Sequence, residues 1–163
     1  MGEVIKRQDT RRAFVDAVNE IADEKTIVVI PDVGFLYLDD PSNKFKVVNT
    51  GVNEMFATIF AANLALEGWR VFYYSMINFA LFRPAEAVRN AIVCHNAPVT
   101  ILGVKGSTSY KFLGFSHNML HEKEDFNFCD NIGLKWHYPQ SNEEVRQAVL
   151  DSVNSKKAAY IRL

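Results

Sequence analysis

A helix that is apolar on every side persists in water only when something covers it all round, and residues 54–67 spell such a helix. Met55, Phe56, Ala57, Ile59, Phe60, Ala61, Ala62, Leu64, Ala65 and Leu66 fall on all faces of a 3.6-residue winding. Either the rest of the chain buries it or another subunit does. Gly51 permits a tight strand-to-helix turn before it, Thr50 or Gly51 is the expected N-cap, and Gly68 suits the position just past its end. Glu54 is out of place, a carboxylate at the mouth of a greasy helix. With Gly51 as cap, Glu54 stands at N3 and reaches back to a free backbone N–H, as in a capping box. The other reading is chemical.

The length of 163 residues and 48% hydrophobic content suffice for one soluble domain with a substantial core. Lys and Arg number 18 against 19 for Asp and Glu, so the charge balance offers nothing to nucleic acid or an anionic membrane surface. No apolar run approaches the ~20 residues of a membrane span, and the polar N-terminus carries no signal-peptide pattern. Cys94 and Cys129 lack metal-ligand spacing and fall in segments expected to be buried, which points to reduced thiols and a cytoplasmic location.

Along the chain, helices and strands alternate. Asp9 or Thr10 caps a first helix to Glu24, with Phe14, Val15, Val18, Ile21 and Ala22 on its apolar face. Strands are expected at 26–30, 45–48, 69–74, 98–104, 134–138 and 158–163. Helices are expected at 85–95, about 123–131, and after Ser141. A flexible N-terminus is expected at residues 1–8, and the Gly- and Ser-rich loop 105–120 is expected to be mobile without a ligand. Alternation of this kind implies a three-layer α/β/α fold with a mainly parallel sheet, whose ligands bind beyond the strand C-termini.

Those strand ends carry Asp32, the Gly51 turn with Glu54, the segment Met76–Phe82, and Ser116-His117 in the long loop. A carboxylate, a histidine and aromatic rings converging there suit a flat heteroaromatic ligand, although Phe79 and Phe82 also read as core and His117 as solvated loop. No glycine-rich phosphate loop and no paired Cys or His zinc pattern occurs. The Gly103–Ser107 run, with two glycines, is a weak anion cradle, and the adjacency of Ser116 and His117 does not make a nucleophile pair.

In order, an Asp after the first strand, Asn-Thr-Gly-Val-Asn-Glu-Met at 49–55, the aromatic segment, Gly-Phe-Ser-His at 114–117, Glu124-Asp125 and a final Tyr-Ile-Arg-Leu resemble a known domain. It is the pyrimidine-binding domain of transketolase-like thiamine diphosphate enzymes, and the resemblance covers about residues 8–163. The resemblance implies the thiamine diphosphate-binding fold, with Glu54 hydrogen-bonded to a ring nitrogen of the cofactor's aminopyrimidine. A carboxyl beside an apolar helix is poorly solvated, which favours its proton-donating form. By the same resemblance Met76, Phe79, Phe82 and Asp32 are cofactor-binding, with Met76 at a commonly aromatic position, and His117 with Ser116 approaches the substrate.

Tyr110–Leu113 replace the family's usual acidic lead-in to that loop, and Asn118 stands where glutamine is common. No Gly-Asp-Gly magnesium motif is present. The resemblance therefore implies a split enzyme. This chain would hold the aminopyrimidine half, and a separately encoded diphosphate-binding subunit would hold Mg2+ and the diphosphate. A homodimer or an α2β2 heterotetramer would transfer or condense a two-carbon or acyl unit from a sugar or 2-oxoacid donor. The alternatives are a non-catalytic paralogue that stabilises or regulates a partner, and an unrelated α/β module for a small metabolite.

Overall fold

The computed structural model describes residues 9–31, 36–106 and 108–163; the expected flexible N-terminus at 1–8 and the candidate Asp32 lie outside them. Runs of β-branched and aromatic residues form the strands β1 (Thr26–Ile30), β2 (Lys46–Asn49), β3 (Arg70–Met76), β4 (Val99–Val104), β5 (Lys135–His137) and β6 (Ala159–Arg162). They pair in the order β2-β1-β3-β4-β6-β5, and every pairing is parallel. All strand C-termini therefore share one edge of the sheet, and Glu54, Met76, Phe79 and His117 gather there.

Two helices cover one face. Asp9 caps α1 (Thr10–Ile21), its carboxylate accepting from the N–H groups of Arg11 and Arg12, and Ser141 caps α5 (Asn142–Ser155) by accepting from Glu144 N. Phe14, Val15 and Val18 of α1 join Val145 and Val149 of α5 over Val28, Ile30, Phe72, Leu102 and Ile161. The other face receives α2 (Glu54–Leu66), α3 (Ala85–Ala87) with its continuation to Cys94, and α4 (Glu124–Ile132). The result is the three-layer α/β/α arrangement read from the sequence.

Helix α2 corrects one expectation, that of its cap. The cap is Asn53, whose side chain accepts from Phe56 N, whereas Gly51 (φ +70°) bends the chain earlier. Glu54 is thus the first helical residue, too close to the cap for a capping box. Within the chain the helix is covered on one side. The small residues Ala57, Thr58, Ala61, Ala62 and Ala65 let it lie close on Ile27, Val29, Val71 and Tyr73, whereas Met55, Phe56, Ile59 and Leu66 remain exposed. Its C-terminus closes as expected: Gly68 (φ +85°) donates to Ala65 O and Trp69 to Leu64 O, a Schellman pair.

Between β3 and β4 the winding is wider than an α-helix. Asn78–Phe82 is π-helical, with Arg83 N donating to Asn78 O at 2.9 Å. Pro84 explains part of this, because it has no N–H to continue the 3.6-residue ladder. The expected helix at 85–95 is a single α turn followed by a π-helix, Val88–Cys94. Cys94, expected to be buried, is exposed, while Cys129 is buried and burial pushes its thiol up to about 12. Among the described residues, no helix is long and apolar enough to cross a membrane.

Candidate functional site

Glu54 opens α2 at the C-terminal edge of the sheet and is 8% exposed. Thr58 Oγ1 donates to its backbone carbonyl at 2.8 Å, which tightens the first turn. Its side chain meets a cation that the sequence reading did not place there: Arg83 Nη1 donates to Glu54 Oε1 at 2.6 Å. The same guanidinium lies over the ring of Phe79, 4.2 Å from its centroid. The wide turn after β3 thus points Phe79 and Arg83 at the same spot, opposite Glu54. Beneath them the buried hydroxyl of Tyr73 donates to Phe79 O at 3.2 Å, and burial raises its pKa above the ordinary value.

His117 approaches from the loop after β4. Its ring stands edge-on to Phe79, centroids 4.9 Å apart, and parallel to Tyr110 at 6.2 Å. Ser116 Oγ donates to Leu113 O at 2.8 Å, so the 2.8 Å contact between Ser116 Oγ and His117 Nδ1 is donated by Nδ1–H. Nε2 is left as the imidazole's lone-pair nitrogen. The serine proton points away from the histidine, so the two are not a nucleophile and its base. Much of this loop, expected to be irregular, is wound as 3₁₀ turns over Thr108–Ser116 with a break at Gly114. Asn118 stitches it by donating to Tyr110 O and Gly114 O, and Asn78 ties it to the end of β3 by donating to Phe115 O at 2.8 Å.

Glu54, Arg83, Phe79 and His117 therefore form one continuous chain of contacts along the sheet edge. On the α1 side of β3, a cavity of about 240 Å³ is walled by Arg11, Tyr74, Met76, Phe79, Tyr110 and His117 among others. Met76, the last residue of β3, and Phe79 both line it. Phe82 is not with them. Its ring packs edge-on against Phe128 of α4, centroids 6.0 Å apart. Ser116 is exposed and serves His117.

A second cluster, at the far end of the same edge, was visible in the sequence only as the closing Tyr-Ile-Arg-Leu and the Glu124-Asp125 pair. Asp125 (0% exposed) accepts from Tyr160 OH at 2.7 Å, from Arg162 Nε at 2.9 Å, and again from Arg162 Nη2. Arg162 (1% exposed) also donates to Glu122 Oε1 and O, and its guanidinium lies 3.9 Å from the Phe126 centroid. The Tyr160 hydroxyl is raised well above its ordinary value, first by burial and then by the Asp125 carboxylate. Nothing about this group suggests a ligand; it locks α4 to β6.

The aminopyrimidine half of thiamine diphosphate suits what Glu54 and Phe79 offer, a carboxylate oxygen beside an aromatic face. Among the described residues, no group of three or more His, Cys, Asp or Glu is placed to hold a metal ion.

A family model, the transketolase pyrimidine-binding domain, matches residues 6–163. No curated protein sequence matches the chain. Among solved structures, a split-gene transketolase described as an inactive beta4 tetramer superposes with a TM-score of 0.80 and 24% identity. That match covers 96% of this chain and 51% of the other. Transketolase from Campylobacter jejuni gives 0.76 at 16% identity, over 96% of this chain and 26% of the other. Benzoylformate decarboxylase from Polynucleobacter necessarius gives 0.67 at 11%, over 99% and 34%. The chain thus spans about half the length of the split-gene protein and about a quarter of the Campylobacter enzyme. At these identities the likeness speaks for the fold.

Proposed function

Because this chain belongs to the transketolase pyrimidine-binding domain family, we propose that it is the pyrimidine-binding subunit of a split thiamine diphosphate-dependent transferase. Its partner is a separate diphosphate-binding subunit that holds Mg2+, in a homodimeric or α2β2 assembly. The donor is a sugar or a 2-oxoacid, and a two-carbon or acyl unit is transferred or condensed. The observation that carries this reading is Glu54, a nearly buried carboxylate at the strand-end edge that is linked through Arg83 to the Phe79 ring, against which the His117 imidazole stands.

When bound, thiamine diphosphate supplies an acidic ring carbon that takes up the fragment to be transferred. The chain's own residues do the rest. Glu54 shares a proton with a ring nitrogen of the aminopyrimidine. Phe79 offers the ring a flat apolar face, and Met76, with Asp32, is assigned to the same cofactor. His117, its Nδ1–H spent on Ser116, presents Nε2 to accept a proton from substrate. The exposed side of α2 is assigned to a subunit interface, which also keeps water from the cofactor.

The test is Glu54→Gln. With the partner subunit, magnesium and thiamine diphosphate supplied, exchange of the thiazolium proton for deuterium should slow by at least ~10²-fold, the scale of a lost acid–base role. Folding and assembly should stay near wild type. A rate unchanged within about threefold would leave Glu54 a structural partner of Arg83 at the start of α2 and the chain a non-catalytic relative, a reading that the engagement of Glu54 by Arg83 favours.

A further inference from the structure

Glu54 and Phe79 do not face an open niche; one side chain of the same chain satisfies both. Arg83 presents a flat, nitrogen-bearing group whose Nη1 donates to Glu54 Oε1 at 2.6 Å and whose face lies 4.2 Å from the Phe79 centroid. A planar guanidinium that pairs edge-on with a carboxylate and stacks on an aromatic ring makes the two contacts that a planar aminopyrimidine makes through its ring nitrogen and its π face. The side chain is 48% exposed, so it has a route out to water. Glu54, by contrast, is held by the helix that it begins and by Thr58. Of the pair, Arg83 is the member free to move.

We infer that Arg83 is a resident stand-in for the aminopyrimidine, occupying the niche between Glu54 and Phe79 until a ligand displaces it. Entry of the heterocycle then exchanges one ion pair and one cation–π contact for a hydrogen bond and a stack. Arg83 swings out to solvent without any movement of the backbone. The stand-in keeps the Glu54 carboxylate compensated until the ring enters, where an unpaired and nearly buried charge would weaken the start of α2. It does so at a cost in affinity. The inference rests on the proposed role of Glu54 in binding that ring.

The probe is 4-amino-2-methylpyrimidine, neutral at pH 7.5, titrated into the isolated chain and followed by NMR. Arg83→Ala should bind it roughly 3- to 30-fold more tightly than wild type, the combined scale of a half-exposed ion pair and a cation–π contact. Arg83→Lys, which keeps the charge but cannot lie flat on Phe79, should fall between the two. Wild-type affinity should rise with added salt, which screens the competing pair, and the affinity of Arg83→Ala should not. The Arg83 Nε resonance should move towards its free-arginine position as the probe saturates the site. Equal affinities for wild type and Arg83→Ala, or weaker binding by the variant, would overturn the stand-in while leaving the aminopyrimidine site intact. If wild type and Arg83→Ala both fail to bind, or if Glu54→Gln binds as well as wild type, the aminopyrimidine reading itself falls and takes the stand-in with it.

Discussion

Removing one carboxylate from the interior, Asp125→Ala, should destabilise the fold by about 4 kcal/mol. Deleting one partner of a buried ion pair costs about 3–5 kcal/mol because the other charge is left uncompensated. Arg162 is 1% exposed and has no way out to water, but Glu122 Oε1 at 2.9 Å remains to hold part of its charge, which favours the lower half of that range. The Tyr160 hydroxyl then loses its acceptor as well, an orphaned donor worth about 1–3 kcal/mol. In a chain of this size each kcal/mol moves the melting point by about 2–4 °C, so a fall of about 8–16 °C is expected. Urea unfolding at neutral pH, followed by circular dichroism, gives the free energy directly. Asp125→Leu combined with Arg162→Met removes both charges and should recover most of the loss, because apolar replacement of a buried pair is often neutral. A single-variant cost below about 1 kcal/mol, or a double variant that costs the sum of its singles, would refute the argument.

Gly103 of β4 lies under Tyr160, where an added Cβ would meet the hydroxyl oxygen at 2.5 Å. Gly103→Ala should cost about 1–3 kcal/mol in the same assay, and no loss would show that the ring is not locked. Burial raises the pKa of Tyr73 and Tyr160, and raises Tyr74 and Cys129 to about 12. Each keeps in the folded state a proton that the unfolded chain releases earlier. Stability should therefore be whole below the ordinary values of 9.0 and 10.0 and fall as pH climbs towards 12; a urea midpoint flat to about pH 11 would contradict this. Phe56→Glu with Ile59→Glu, on the exposed side of α2, should leave the melting point near wild type yet weaken subunit association by at least ~30-fold in sedimentation; unchanged association would move the interface elsewhere.

The parts of this molecule that were legible in advance are those encoded locally. The strands are runs of β-branched residues, the caps Asp9 and Ser141 sit one step before periodic apolar patterns, and Gly68 supplies a left-handed stop. The N-terminus of α2 misled because two candidate caps, Thr50 and Gly51, precede the true one, Asn53. Both are spent on the turn, Thr50 N donating to Ile30 O and Gly51 N donating to Asn49 Oδ1. Periodicity marked α2 as apolar all round without saying which side faces the sheet. What made the difference was side-chain size, alanines towards the sheet and bulky residues away from it. The ion pair between Glu54 and Arg83 joins elements 29 residues apart, and Arg162 meets Asp125 across 37. No spacing rule reaches across such distances. The resemblance named Glu54, Phe79 and His117 but was silent on Arg83, which no motif contains.

The π-helical turn at Asn78–Phe82 has a consequence for sequence length. A π turn holds one residue more than an α turn spanning the same gap. Deleting a single residue between Phe79 and Arg83 would let the segment close as ordinary α-helix without disturbing β3 or β4. Because the α turn spans the same gap with one residue fewer, the residues on either side of the deletion keep their directions, and the Arg83 guanidinium would stay over Phe79 and opposite Glu54. Chains of this kind that are one residue shorter at this point should keep both the fold and the ion pair. A one-position gap in an alignment would then mark the loss of the wide turn and not the loss of the cation that covers the carboxylate.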